Sequence, residues 1–325
     1  MIKKILCAGL IMEDILMSGM EKLPEHWEET VLAYGTSIQT GGGAANSALT
    51  LGKIGIPTEI AGRIGNDRFA DLIINDFHKH GVSTKFLKKT PKHSTGTCVG
   101  LVNKNSSRCF ITSRGANSIF SGKDFNEVLL SDYSVFFING FFQFPDLEPD
   151  LPRLFKQANE LNVPTAFDTA SWDASGRWFK AVKPFANNID FFFANETQLS
   201  MLSGKEKISD AANFLLENGV KHVIAKLGPQ GCVYYNKESN YHINAYPVNA
   251  IDTTGAGDSF DAAFLAAFIL GNDIKTVCAF ANLIAACNCT KLGATTGIPS
   301  KAELNRLLKI NSINFKENNY ESCQQ

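Results

Sequence analysis

The sequence predicts an α/β fold in which a mostly parallel sheet is covered by helices on both faces and a small extra β-sheet sits beside it. Three observations carry this expectation. Short apolar strand candidates alternate with amphipathic segments along most of the chain, two stretches break the alternation, and two glycine runs open apolar helices.

The first strand candidate, Ile5 to Gly9, follows Lys3-Lys4 and runs on through Met12 to Glu13-Asp14. A charged pair before an apolar run also begins a signal peptide, but this run is short, meets two acids and has no small-residue cleavage site, so it reads as a buried strand. Ile15 to Thr40 is the first interruption. Gly41 to Ala48 then opens a helix, and Thr58 to Ala61 is the next strand. Phe69, Leu72, Ile73 and Phe77 fall on one helical face that Gly81 closes. Thr97 to Ser113 is the second interruption: Cys98 to Val102 and Arg108 to Thr112 flank the polar turn Asn103 to Ser107, the pattern of a β-hairpin. The two interruptions together are expected to form a small sheet covering a cleft. Val135 to Ile138, Thr165 to Phe167, Phe191 to Phe193 and Val223 to Ala225 supply further strands, and Leu151, Leu154, Phe155, Ala158 and Leu161 make a second helical stripe after Pro149. The expected organisation is one domain over residues 1–310, with lid segments at about 15–40 and 97–113, followed by a polar tail over 311–325 that frays at its end.

Composition narrows the partners. Thirty-one basic and 32 acidic residues leave a net charge of −1 and no basic stripe for a nucleic-acid backbone or an anionic membrane surface. No apolar stretch reaches the length of a membrane span. A small-molecule partner and a cytoplasmic location are the expectation. Of the eight cysteines only Cys287 and Cys289 lie close together, without C-x-x-C or zinc-ligand spacing, so they read as reduced thiols.

The sharpest chemical signal is Asp252-Thr253-Thr254-Gly255-Ala256-Gly257-Asp258-Ser259-Phe260, directly before the apolar helix Ala262 to Leu270. Glycines at a helix entrance let a ligand approach the backbone, and the first helical N–H groups carry about half a positive charge, which makes an anion site. Phosphoryl transfer needs such donors and a carboxylate to take the proton of the attacking hydroxyl, and Asp258 stands beside them in the first turn. Alone, the same aspartate could serve only to complement the helix dipole. Gly41 to Ala48 is a second glycine-rich helix entrance, with Asn46 one turn in offering a donor and an acceptor. Gly62-Arg63-Ile64-Gly65-Asn66-Asp67 reads by itself as a strand-to-helix turn capped by Asp67.

In this order the motifs resemble one family, the ribokinase-like or PfkB carbohydrate kinases: Gly41 to Ala48 with Gly62 to Asp67 look like its N-terminal signature and Asp252 to Phe260 like its C-terminal one. The resemblance runs from about Ile5 to Pro299. It implies a ribokinase-like three-layer α/β/α fold with a β-sheet lid, and an ATP- and Mg2+-dependent phosphotransferase acting on a hydroxyl of a sugar or sugar-like substrate. By resemblance Asp258 is the general base, and the backbone of Gly255, Ala256 and Gly257 is the anion hole. Asp14, Gly42 and Asn46 bind substrate hydroxyls, and Arg114 and Asn117 belong to a G-A-N stretch after the lid hairpin. Asn195, Lys226, Gly228, Gly231 and Asn282 fall on the nucleotide side. Asp252, Thr254, Lys291 and Gly293 fall where relatives hold a potassium ion, the last two through backbone carbonyls. In several relatives the lid sheets of two chains pair, which implies a homodimer.

Three departures stand out. The family's N-x-x-E reads Asn195-Glu196-Thr197-Gln198, so a neutral amide replaces its acid. Its D-x-N-x-R reads Asp168-Thr169-Ala170-Ser171-Trp172. Gly297 and Gly43 stand where ribokinases proper carry a serine and a lysine, which argues against ribose as the substrate. The alternatives kept open are a nucleoside kinase of the same fold and a catalytically weak sugar- or nucleotide-binding regulator. A nicotinamide-dependent oxidoreductase built on Gly41 to Asn46 lacks a strand just before the glycines and an acid at the proper distance. P-loop, H-E-x-x-H and G-x-S-x-G patterns are absent, and His78 and His80 are spaced too closely to share a helical face. Phe141 and Phe142 are candidates for a cleft wall.

Overall fold

The computed structural model describes residues 3–104, 108–169, 176–311 and 313–316. Its strands are β1 (Lys4–Gly9), β2 (Met12–Met20), β3 (Gly35–Gly41), β4 (Thr58–Gly65), β5 (Val82–Thr90), β6 (Gly96–Asn103), β7 (Arg108–Ser113), β8 (Tyr133–Asn139), β9 (Thr165–Asp168), β10 (Phe191–Asn195), β11 (His222–Lys226), β12 (Cys232–Tyr235) and β13 (Asn240–Ile243). The helices are α1 (Gly43–Lys53), α2 (Arg68–Lys79), α3 (Leu151–Glu160), α4 (Phe179–Val182), α5 (Glu196–Ser203), α6 (Ile208–Glu217), α7 (Ala256–Ile269), α8 (Ile274–Asn288) and α9 (Lys301–Ile310).

The large sheet has the order β13-β12-β11-β10-β9-β8-β1-β4-β5. From β11 to β5 every neighbour is parallel, and β12 and β13 turn back antiparallel at one edge. Successive side chains of a strand point to opposite faces, so each central strand feeds two cores. Ile5, Cys7, Phe191 and Phe193 pack with α1, α2, α7, α8 and α9 on one face. Leu6, Ala8, Phe167 and Phe192 pack with α3 to α6 on the other. That second face is rich in phenylalanine, with Phe141, Phe155, Phe167 and Phe185 meeting at centroid distances of 5.2–6.1 Å. Phe141 and Phe142 are both buried within it.

The second sheet has the order β3-β2-β6-β7. β6 and β7 form the expected hairpin, Cys98 opposite Thr112 and Val102 opposite Arg108. Its turn residues 105–107 lie outside the described residues, as do Ala170, Ser171 and Trp172 and the tail beyond residue 316. The sheet starts at Met12, before the expected Ile15, because β2 leaves β1 after only Leu10 and Ile11. Cross-strand register sorts its two faces. Asp14, Gln39, Cys98 and Thr112 align on one, and Ile15, Ile38, Val99 and Ile111 align on the other.

Two helical stripes need correction. In α2 the buried residues are Ala70, Ile73 and Phe77, while Leu72 is 50% exposed; at about 3.6 residues per turn it lies more than a third of a turn away from that line. Leu161 follows the last residue of α3 and is 44% exposed. The start of the tail is less polar in its packing than expected, since Phe315 stacks on Phe280 at 4.3 Å. The seven described cysteines are free, and no helix among the described residues is long and apolar enough to cross a membrane.

Candidate active site

The chemistry-bearing residues gather where the parallel strands end and two helices begin, the side on which open α/β sheets bind ligands. Gly255 caps α7 with φ +70°, and a Cβ there would stand 2.1 Å from the Ala294 carbonyl oxygen. Only glycine fits. In the first turn of α7 the Ala256 N–H donates to the Thr253 carbonyl at 3.3 Å, while those of Gly257 and Asp258 have no carbonyl four residues back inside the helix and point out of its entrance as donors. Asp258 sits in this turn and is half-buried.

The Asp258 carboxylate is held from both sides. Asn46 Nδ2 of α1 donates to Oδ2 at 2.8 Å, and Asn139 Nδ2, at the end of β8, donates to Oδ1 at 3.1 Å. Ser47 Oγ donates to the Asp258 carbonyl at 3.1 Å, and Thr50 shares a 3.3 Å hydroxyl bond with Ser259. Burial pushes the Asp258 carboxyl up, to about 6; the bond from Asn46 and the Lys226 charge oppose that rise, the Asp168 charge adds to it, and the bond from Asn139 opposes it again.

Asn139 was not singled out by the sequence motifs. The signal was positional: it is the polar residue that ends the apolar strand Val135 to Ile138. It also accounts for Gly43, since a Cβ on that residue would lie 2.1 Å from Asn139 Oδ1. No lysine fits there. Because both amides turn their nitrogens toward Asp258, Oδ1 of Asn46 and Oδ1 of Asn139 are buried without a partner. They are two acceptors awaiting donors.

Asp14 approaches from the small sheet, and its carboxylate lies over Gly41, where a Cβ would come within 2.1 Å of Oδ2. Burial first, and then the Asp258 charge, raises it to about 7. Gly42 caps α1 next to it. Arg114 is exposed, donating to Gln143 Oε1 at 3.1 Å and to the Phe142 carbonyl at 3.3 Å. Asn117 is fully buried, bonding both backbone groups of Ile11 at 3.1 and 2.8 Å and the Arg114 carbonyl at 2.9 Å. It braces the passage from β1 to β2, and its amide is not open to a ligand.

On the other side, Lys226 ends β11 and its ammonium meets Asp168 Oδ2 at 2.5 Å and both Asp261 oxygens at 3.0 and 3.1 Å. The three side chains are 14%, 2% and 0% exposed. Burial works against the ammonium, but the two carboxylates outweigh it and hold its pKa above the ordinary lysine value; burial drives Asp261 well upward. Lys226 Nζ lies 3.3 Å from where a Cβ on Gly257 would be, beside the entrance of α7. Gly228 and Gly231 bound the turn after it, both at positive φ. Asn195 caps α5 reciprocally with Gln198: Gln198 N donates to Asn195 Oδ1 at 2.9 Å and Asn195 N to Gln198 Oε1 at 2.7 Å. A neutral amide thus closes the capping box where the family motif has an acid. Asn282 is 5% exposed and donates to the carbonyls of Ile243 and Asn244 at 3.0 and 3.1 Å. It holds the end of β13.

Among the described residues no group of three or more His, Cys, Asp or Glu side chains could hold a metal. The loop at Asp252, where the family resemblance implies a monovalent cation, is bonded to itself. Asp252 Oδ1 accepts from Thr254 N at 2.9 Å and Thr254 Oγ1 at 2.7 Å, and Oδ2 accepts from Gly293 N at 2.9 Å.

Comparison with known proteins gives the family and the fold. Residues 3–301 match the pfkB family carbohydrate kinases. A deoxyribokinase of Salmonella typhimurium is 28% identical over 303 residues, covering 91% of this chain and 96% of that protein. A ribokinase of Staphylococcus aureus is 31% identical over 291 residues, covering 87% and 90%. The structure of Arabidopsis thaliana ribokinase complexed with ribose and ATP superposes with a TM-score of 0.84 at 27% identity, covering 95% of this chain and 99% of that one.

Proposed function

This chain belongs to the pfkB family of carbohydrate kinases, and on that premise we propose that it moves the γ-phosphate of ATP to a hydroxyl of a small sugar bound between Asp14, Asn46 and Asn139. The observation that carries the reading is the half-buried Asp258 carboxylate, fixed by two amides at the entrance of α7 beside backbone donors.

In this reading the substrate hydroxyl lies against Asp258. As its oxygen bonds to the γ-phosphorus, its proton passes to the carboxylate, and the bond from that phosphorus to the bridging oxygen breaks to release ADP. The N–H groups of Gly255, Ala256 and Gly257 meet the charge on the transferred group, in place before the reaction. Lys226 adds a fixed positive charge beside them. Magnesium, carried on the phosphates, supplies further charge neutralisation. The orphaned oxygens of Asn46 and Asn139 accept from neighbouring hydroxyls of the sugar, as does Asp14. The small sheet acts as the lid over residues of about 15–40 and 97–113, excluding water, which would otherwise take the phosphate. Asn195, Gly228 and Gly231 line the nucleotide side. Arg114 is placed to meet an anionic group of either substrate.

A coupled assay of ADP release over a panel of pentoses, hexoses and nucleosides tests the reading. Turnover is expected with a sugar carrying adjacent hydroxyls; ATP consumption with no panel member, under conditions where ATP binds, would leave the binding-regulator alternative. A nucleoside as the sole acceptor would select the nucleoside-kinase alternative.

The outward face of the small sheet presents Ile38 and Ile111, 53% and 62% exposed, in line with Ile15 and Val99. An apolar row of this kind on a lid supports pairing of two copies through it. Light scattering at micromolar concentration is expected to give a dimer mass, and Ile111→Lys a monomer; a monomeric parent protein would remove the pairing.

A further inference from the structure

We propose that the side-chain amide of Asn288 takes the place of a monovalent cation behind the entrance of α7, so that this kinase works without potassium. The inference rests on the kinase reading for its rate measurement only.

Asn288 ends α8, is fully buried, and donates through Nδ2 to the Thr254 carbonyl at 3.1 Å and to the Ala294 carbonyl at 2.8 Å. Two carbonyls can only accept, so the nitrogen and not the oxygen of the amide faces them. Its two N–H groups thus satisfy two converging backbone oxygens, the task a bound cation performs in a carbonyl cage. Asn288 Oδ1 is itself buried with no partner among the described residues, and side chains elsewhere in the loop are bonded. Both Asp252 oxygens accept from Thr254 and Gly293. Lys53 Nζ reaches across from α1 to the Thr295 carbonyl at 2.7 Å and its hydroxyl at 3.0 Å. Burial lowers the Lys53 pKa, the Asp76 charge opposes that fall, and the charges of Lys79 and Lys291 add to it, so a positive charge already stands beside the loop.

The glycine at 297 completes the disagreement. A Cβ on it would lie 2.4 Å from the Cys287 carbonyl oxygen and 2.5 Å from that of Asn288. The backbone has closed over the position where a hydroxyl-bearing side chain would be needed. Thr254 stands two residues before Ala256, the first residue of α7, so the Asn288 amide fixes the loop that aims the anion-binding N–H groups. Asn288 is a positioning residue.

The test compares initial rates and melting temperatures in potassium, sodium and choline chloride at one ionic strength. For the parent protein the three rates are expected to agree within about twofold, since a real effector coupling is typically 5–150-fold, and the melting temperatures to coincide. A potassium-specific rate gain of about fivefold or more, or a potassium-specific rise in melting temperature, would overturn the proposal. Asn288→Asp sets a carboxylate against the two carbonyls; it is expected to melt lower in choline and to recover with potassium. An Asn288→Asp protein indifferent to potassium in both readouts would also overturn it. Should that variant not fold, Asn288→Ala replaces it with the same expectation, and the parent protein decides by itself. Absence of turnover in every salt would fail the kinase reading, while the melting temperatures would still decide the cation.

Discussion

Asp258→Asn is expected to lower kcat by about 10²–10⁴-fold while ATP binding persists. The loss is that of a proton acceptor at the reacting oxygen, and it should appear in single-turnover rates as well as steady-state ones. The new amide cannot accept from both Asn46 and Asn139, because one of its two heads is a donor, so a stability loss of about 1–3 kcal/mol accompanies the kinetic one. The parent enzyme's pH profile carries the same assignment. A base must be ionised to act, and the Asp258 carboxyl is raised from the ordinary carboxylate range to about 6. The rate should therefore be flat above that value and fall about tenfold per pH unit below it. Asp14, raised to about 7 partly by the Asp258 charge, titrates alongside. The two apparent midpoints belong to the pair, and Asp14→Asn should leave a single one. A rate that stays level down to pH 4 would remove Asp258 as the base.

Lys226→Met is expected to be the most destabilising single substitution at the site. Taking away the ammonium removes the positive charge that lies against both Asp168 and Asp261, 2% and 0% exposed. Breaking a buried pair from one side typically costs about 3–5 kcal/mol, a large part of the roughly 5–15 kcal/mol that holds a protein folded. The urea midpoint measures it. Pairing Lys226→Met with Asp261→Asn should restore much of the loss, because the carboxylates then no longer face each other. The charge of Lys226 also holds the Asp258 pKa down; without it the acid limb of the rate profile should move to higher pH. An unchanged midpoint together with an unchanged limb would mean that the lysine neither balances the carboxylates nor faces the base.

The parts of the fold that were legible in the sequence are those buried on both faces. β1, β4 and β8 to β10 are flanked by parallel neighbours, β11 by one parallel and one antiparallel, and all read as plain apolar runs. β5 escaped because it is the sheet's edge: Val82, Phe86 and Thr90 are buried at spacings of four, with lysines between them. The short antiparallel strands β12 and β13 alternate too weakly to stand out.

The site divides in the same way. The glycine-rich entrances marked Asn46 and Asp258, 212 positions apart, and the sheet brings them to 2.8 Å. Asn139, Asp261 and Asn288 belong to no motif, and their meaning comes from what they touch across the chain. Asn117 and Asn282 show the reverse. Their place in a pattern suggested ligand contacts, but the side chains are spent on backbone carbonyls that only the folded chain brings near.

The contact between α1 and α7 has a consequence for how the enzyme can move. Ala44, Ala45 and Ala48 of α1 and Ala262, Ala263 and Ala266 of α7 are buried in the same core, and the Ser47 and Thr50 hydroxyls pin one helix to the other. Asp258, the proposed base, and the Asn46 amide that holds it therefore belong to a single frame. Asp14 rides on β2 in the other sheet. A hinge between the sheets would carry Asp14 and leave Asp258, Asn46 and Asn139 where they are, so in the proposed reading one of the three sugar contacts closes onto a reaction centre that stays still.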